Sequence, residues 1–251
     1  MKKETSNLSL RWLYIAVCTV CLAFAGVIYA WSILKVPLAD EFGWSNTELA
    51  LNFTLTMCTF CIGGFLGSRI SKLVGANLSL VFSGLLAGGG FVLASFMQGS
   101  IAMLYISYAV LAGLGIGIAY NVIISSVNAW FPDKRGFCSG CMLMGFGLTS
   151  LVFGSLLDSL FANEAFGWRT TFLLFGIVMA AMICIAGIIL RKPAPDVKFP
   201  EAKKKAAKKA ENFEIVDMSP LQMLSRVSFW LAFTCMVCLV AVGNSVISFA
   251  R

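Results

Sequence analysis

Residues 113–136 read GLGIGIAYNVIISSVNAWFPDKRG, and the fold turns on what the three glycines at its head are for. Gly113, Gly115 and Gly117 could belong to a loop that cradles a phosphate. A dinucleotide-binding turn, however, requires G-x-G-x-x-G between a strand and a soluble helix, with an acid roughly 20 residues on. The spacing here is G-x-G-x-G, and no charged residue occurs anywhere from residue 73 to residue 132. A helix needs only about 20 apolar residues to cross a bilayer, so this stretch reads as membrane and its glycines serve another purpose.

Composition carries the same message along the whole chain. Hydrophobic residues make up 59% of 251 positions and charged residues 12%, with a mean hydropathy of +0.87, outside the balance of soluble domains. Cutting the sequence at its charges gives spans at 12–34, 49–68, two within 73–132 that turn near Met97-Gln98-Gly99-Ser100, then 136–157, 170–190 and 227–250. The first follows Lys2 and Lys3 as a signal peptide would. Its apolar run is longer than the 7–15 residues of a signal peptide's core and no cleavage site follows, so it is expected to be retained.

Charge sets an orientation. With the N-terminus in the cytoplasm, sixteen of the 19 Lys and Arg lie on the cytoplasmic side, leaving only Lys35, Arg169 and Arg251 outside. The acids Asp40, Glu41, Glu48, Asp158 and Glu164 fall on the outer side. A net charge of +7 thus follows from the positive-inside pattern and implies no nucleic-acid partner. The run KKKAAKKA at 203–210 reads as a solvated connecting segment.

Four C-x-x-C pairs, Cys18/Cys21, Cys58/Cys61, Cys138/Cys141 and Cys235/Cys238, would suggest zinc in a soluble protein. Here all lie in apolar spans, where a thiolate pays a heavy desolvation cost, and the chain has no histidine. Packing is the better reading; no metal and no cofactor are expected. An enzyme is disfavoured too, because nothing supplies a base to activate those thiols. The glycine pairs Gly63/Gly67, Gly84/Gly88, Gly113/Gly117 and Gly136/Gly140 each stand in G-x-x-x-G, the spacing that lets helix backbones approach in lipid.

A faint internal echo connects the two groups of three spans: Gly26-Val27-Ile28-Tyr29 in the first span and Gly117-Ile118-Ala119-Tyr120 in the fourth, both G-x-x-Y. Transporters built from inverted repeats leave such traces. Read from the sequence, the six complete spans hold no ionisable residue. Their polar groups are Tyr29, Asn52, Tyr105, Tyr108, Tyr120, Asn121 and several Ser and Thr, able to hydrogen-bond but not to carry charge.

GLGIGIAY at 113–120 with AWFPDKRGFCSG at 129–140, GVIYAWSILKVPL at 26–38, Gly167-Trp168-Arg169, and SPLQMLSRVSFW at 219–230 together resemble the oxalate/formate antiporter-like, monocarboxylate transporter-like branch of the major facilitator superfamily. The resemblance implies an all-α polytopic bundle: an N-terminal six-helix domain at 1–190 made of two inverted three-helix repeats, a basic cytoplasmic connecting loop at 191–226, and a seventh span at 227–251 that opens a second half. It implies a secondary transporter of small organic anions of the oxalate, formate or lactate type, working by alternating access in the plasma membrane, here as a truncated chain inactive alone. The other reading is a non-transporting membrane protein, a sensor or a half-transporter partner subunit.

By motif match, Tyr29, Trp31 and Tyr120 are expected to line the substrate cavity, with Asn121 beside them. Arg69, Ser71, Lys72, Asp133, Lys134 and Arg135 are expected to form the gating loops. The superfamily pattern G-x-x-x-D-[RK]-x-G is altered at 67–75, GSRISKLVG, where Lys72 stands at the basic position and Ser71 at the acid's, so the acid is missing. In the antiporter-type relatives the cations that meet the substrate carboxylates lie in the C-terminal half. The expected partners are therefore a small organic anion, the lipid bilayer, and a missing C-terminal half or second polypeptide.

Overall fold

The computed structural model describes residues 2–162, 166–191, 193 and 220–249, with side chains except at 2–10, 162, 220–221 and 244–249. Most of the expected connecting loop, including the basic run at 203–210, lies outside the described residues. Among those described, all regular structure is helical, and six helical spans are long and apolar enough to cross a membrane.

The first span runs Arg11–Phe42. It is α1 (Lys2–Ala25), a 3-10 stretch Gly26–Ala30 and α2 (Trp31–Phe42). The span therefore continues beyond the boundary that charge suggested, and Lys35, Asp40 and Glu41 ride on it, which corrects the reading that these spans hold no ionisable residue. Its stop is local. Gly43 sits at φ 66° with its N–H on the Ala39 carbonyl, the left-handed cap that glycine alone adopts without penalty. Ser45 and Glu48 then close a reciprocal capping box that starts α3 (Asn46–Leu73).

Gly75 at φ 88° turns the chain into α4 (Ala76–Ser95), and Gly99 at φ 95° turns it again near the expected point. The fourth span is a composite of α5 (Ile101–Leu104), a π-helical stretch Tyr105–Ala112 and α6 (Gly113–Trp130). Pro132 follows, then α7 (Arg135–Gly147) and α8 (Thr149–Ala162) as the fifth span, and α9 (Gly167–Ile189) as the sixth. The last carbonyls of α9 have no intrahelical donors. Asn77 Nδ2 caps Gly187 and Leu190 at 2.6 and 2.8 Å, and the Trp130 indole N–H donates to Arg191 at 2.6 Å.

The glycines of the opening stretch divide between two neighbours. A Cβ on Gly113 would run into the Thr59 hydroxyl, and one on Gly117 into the Phe60 carbonyl oxygen, both on α3. Gly63 and Gly67 of α3 answer with the backbone at Leu114 and Ile118. Gly115 points the other way, where a Cβ would stand 2.8 Å from the Ser83 carbonyl of α4. Alternate glycines on a helix lie about 200° apart, so α6 is wedged between two backbones at once. Gly84 and Gly88 lie on one face of α4 and bring it against the backbone of α9 at Ala180 and Gly176. Gly136 and Gly140 differ: a Cβ on either meets nothing within 4 Å, because no described helix packs against that face of α7.

The two halves of the bundle use equivalent contacts. Gly117 of the fourth span abuts the Phe60 carbonyl of the second, and Gly26 of the first abuts the Phe146 carbonyl of the fifth. The G-x-x-Y echo is thus one packing device used twice. Since a repeat of three spans returns the chain on the opposite side, the repeats are inverted.

A second unit, containing α10 (Pro220–Leu224) and α11 (Val227–Phe249), is a short helix leading into an apolar one. The Trp230 indole N–H bonds the Leu224 carbonyl at 2.8 Å, which sets the corner between them.

Candidate functional site

The tyrosines of the two G-x-x-Y segments meet on a shared aromatic ring, Phe146. Tyr29 stands 5.3 Å from Phe146, and Tyr120 stands 4.9 Å from Phe146 and 5.3 Å from Phe60. Phe60 and Phe146 stack at 5.8 Å. One aromatic from each of the first, second, fourth and fifth spans therefore converges, with both tyrosines half-buried. Each glycine three positions earlier brings its helix close enough for the ring to reach across. Asn121, also half-buried, follows Tyr120 on α6. Neither phenylalanine carries a motif, and the sequence marks them only by the rings that meet them.

Trp31, the other residue expected at the cavity, is tied into the packing between spans. Its side chain is buried, its indole N–H donates to the Leu49 carbonyl at 3.0 Å, and its ring lies 4.9 Å from Tyr108. An indole has a single donor, already engaged here, so Trp31 holds α2 to α3 and has no N–H to offer a cavity. Two positions along a helix also cannot share a face, which separates Trp31 from Tyr29.

The residues expected to gate lie at one end of the bundle and behave unequally. Asp133 pairs with Arg11 at 3.0 Å, with side chains 6% and 7% exposed. The Arg11 guanidinium also lies 4.7 Å from the Phe131 ring, and the Lys134 ammonium 5.4 Å from that of Trp12. Arg69 covers Phe65 at 5.2 Å, and Ser71 Oγ donates to the Ser68 carbonyl at 3.3 Å. Lys72 and Arg135 are exposed. The polar side chains of the segment that departs from the superfamily pattern lie at the end of α3, where Arg69 and Ser71 contact Phe65 and Ser68 of their own helix, while the acid of the 4–5 connection is locked by the first residue of the first span. By charge alone Arg11 reads as a loop residue; a lone arginine directly before an apolar run is the available signal of its role.

At the other end Glu41 is the hub. It accepts from Arg169 Nη2 at 2.6 Å and from the Trp168 indole N–H, while Arg169 Nη1 reaches the Met97 carbonyl. The Gly167-Trp168-Arg169 segment thereby ties the sixth span to the end of the first. Glu41 and Arg169 are about two-fifths exposed, so the pair contributes positioning more than energy. Span one is pinned at both ends, each time by an arginine and an acid from different elements.

Among the cysteines, Cys18, Cys21 and Cys138 are buried, while Cys58, Cys61, Cys235 and Cys238 are exposed. No group of three His, Cys, Asp or Glu that could hold a metal occurs among the described residues.

Comparison with known proteins agrees with this architecture. The chain is 30% identical over 234 residues to the oxalate:formate antiporter of Oxalobacter formigenes, covering 92% of this chain and 53% of that one. It is 30% identical over 237 residues to monocarboxylate transporter 4 of Gallus gallus, covering 88% and 47%. With monocarboxylate transporter 12 of Rattus norvegicus it shares 28% over 181 residues, covering 72% and 36%. The chain thus spans about half the length of the curated relatives it matches, or less. The sequence profile of the Major Facilitator Superfamily matches residues 15–250, nearly the whole chain, and with six apolar spans in two inverted repeats this chain belongs to that superfamily.

Proposed function

We propose that this chain is the first-half domain of a secondary transporter for small organic anions, mono- or dicarboxylates of the oxalate, formate or lactate type, working by alternating access. What carries the reading is the convergence of Tyr29 and Tyr120 from symmetry-related segments onto Phe146, with Phe60 stacked beside it. Two hydroxyls can each donate to a carboxylate, and the phenylalanines give a small substrate an apolar wall. Neutral donors orient an anion without neutralising it. No Arg or Lys belongs to this ring cluster, and a charge at a helix centre costs about 2.5–3.5 kcal/mol on insertion scales, so the compensating Arg or Lys is supplied by a C-terminal half or a second polypeptide.

In such an assembled transporter, Tyr120→Phe removes one hydrogen bond to a charged group, about 1.5–3 kcal/mol, and should raise KM for the anion by about tenfold or more with expression unchanged. Trp31→Phe should lower the melting temperature and leave KM alone. Labelled oxalate, formate and lactate uptake measures both; an unaltered KM in Tyr120→Phe would remove that hydroxyl from the site.

The Lys/Arg asymmetry puts the Arg11/Asp133 end on the cytoplasmic side, and the resemblance to the transporter family puts the chain in the plasma membrane. With native cysteines replaced, a cysteine at exposed Gln98 should react with an impermeant thiol reagent added outside intact cells, and one at exposed Lys72 should not. Reversed labelling would invert the orientation.

A further inference from the structure

Asn52 is fully buried on α3, and neither its amide oxygen nor its amide nitrogen has a protein partner. Tyr108, in the π-helical stretch of the fourth span, is also fully buried with its hydroxyl unpartnered. Buried polar groups in native proteins are almost always satisfied, and an orphan implies an unseen partner.

The two residues lie along one seam. On either side of Asn52, α3 is hydrogen-bonded to the π stretch: Tyr105 Oη donates to the Glu48 carbonyl at 3.1 Å, and Thr59 Oγ1 to the Ala109 carbonyl. Trp31 bridges the same region, its N–H on Leu49 and its ring against Tyr108. A π-helical turn widens the backbone ladder, and Gly113 N–H reaches back to the Tyr108 carbonyl. Such openings in a helix are places where water inserts.

We propose that an ordered water molecule occupies this seam between α3 and the π-helical stretch, held by the Asn52 amide and the Tyr108 hydroxyl. Its chemistry suits water rather than an ion. The amide presents a donor and an acceptor, the hydroxyl can act as either, and water complements both. Glu48, the nearest acid along α3, is taken up by its capping box with Ser45, so no carboxylate is free there to offset the desolvation of a cation. The water completes the contact by which the second span supports the irregular part of the fourth, one turn before the glycines that seat Tyr120.

Two measurements on the purified 251-residue chain in detergent test this. In radiolytic hydroxyl-radical labelling, where bound water generates the radical in place, Tyr108 of the unmodified chain should be oxidised despite being wholly buried. An unlabelled Tyr108 beside labelled surface residues would overturn the proposal. In thermal unfolding, the near-isosteric Asn52→Leu should lower the melting temperature by about 2–4 °C, and combining it with Tyr108→Phe should cost less than the two single losses added, because both lose the same water. A dry, unsatisfied amide gives the opposite sign: Asn52→Leu would raise the melting temperature, and that rise would overturn the proposal, as would strict additivity.

Discussion

Replacing Asp133 with alanine is expected to destabilise the six-span domain by about 3–5 kcal/mol. Its partner Arg11 is 7% exposed and bonded at 3.0 Å, so the variant leaves a guanidinium buried without a counter-charge. The Phe131 ring at 4.7 Å offers it a cation–π contact of only about 0.5–2 kcal/mol, too little to compensate. Removing both charges at once should recover much of the loss, since an apolar pair carries no desolvation penalty; Arg11→Met with Asp133→Leu is the matching double variant. Thermal unfolding in detergent measures both variants against the unmodified chain. A melting temperature for Asp133→Ala equal to the unmodified chain would mean that the pair opens to water and does not bind the first span to the 4–5 connection.

Gly117→Leu should disrupt the seam between the second and fourth spans. The first added carbon already meets the Phe60 carbonyl oxygen and comes within 3.0 Å of Gly64 N, and backbone cannot rotate aside as a side chain can. The helices must separate, at a typical overpacking cost of about 1–3 kcal/mol or more, and Tyr120 moves away from Phe60 with them. Gly140→Leu is the matched control: nothing lies within 4 Å of its added carbon, so its melting temperature should stay within experimental error. Equal losses at the two glycines would show that leucine harms either helix regardless of packing.

These two sites also mark what could be read in advance. Each glycine of the opening stretch is identifiable as a packing residue because lipid leaves little else for G-x-x-x-G to do. Spacing alone does not say which neighbour each faces. Gly113 and Gly117 against α3 with Gly115 against α4 is a property of the assembled bundle, and the same spacing at Gly136 and Gly140 faces no described helix. Charges locate the hydrocarbon edge and not the helix end, which is why the first span reaches Phe42 past Lys35. The true stop, Gly43 followed by the Ser45/Glu48 capping box, stands in the sequence as FGWSNTE.

The candidate cavity is legible in part for the same kind of reason. Tyr29 and Tyr120 sit in repeated motifs, and the repeat is real packing chemistry. Phe60 and Phe146 have no motif because their role depends on ring positions across four helices. Trp31 carries the family motif yet commits its N–H to Leu49, a choice fixed by tertiary contact. Arg11 and Glu41 look like ordinary boundary charges until the 4–5 connection and the sixth span are folded against them.

Uptake into proteoliposomes decides whether these six spans, as proposed, orient a small organic anion without neutralising it. The 251-residue chain should be reconstituted alone and together with a polypeptide that supplies the rest of the second half, and offered labelled oxalate, formate and lactate. No saturable uptake is expected from the chain alone, and saturable uptake of at least one of these anions from the assembled pair, weakened by Tyr120→Phe. Saturable uptake by the chain alone, or none by a properly assembled pair, would contradict the proposal.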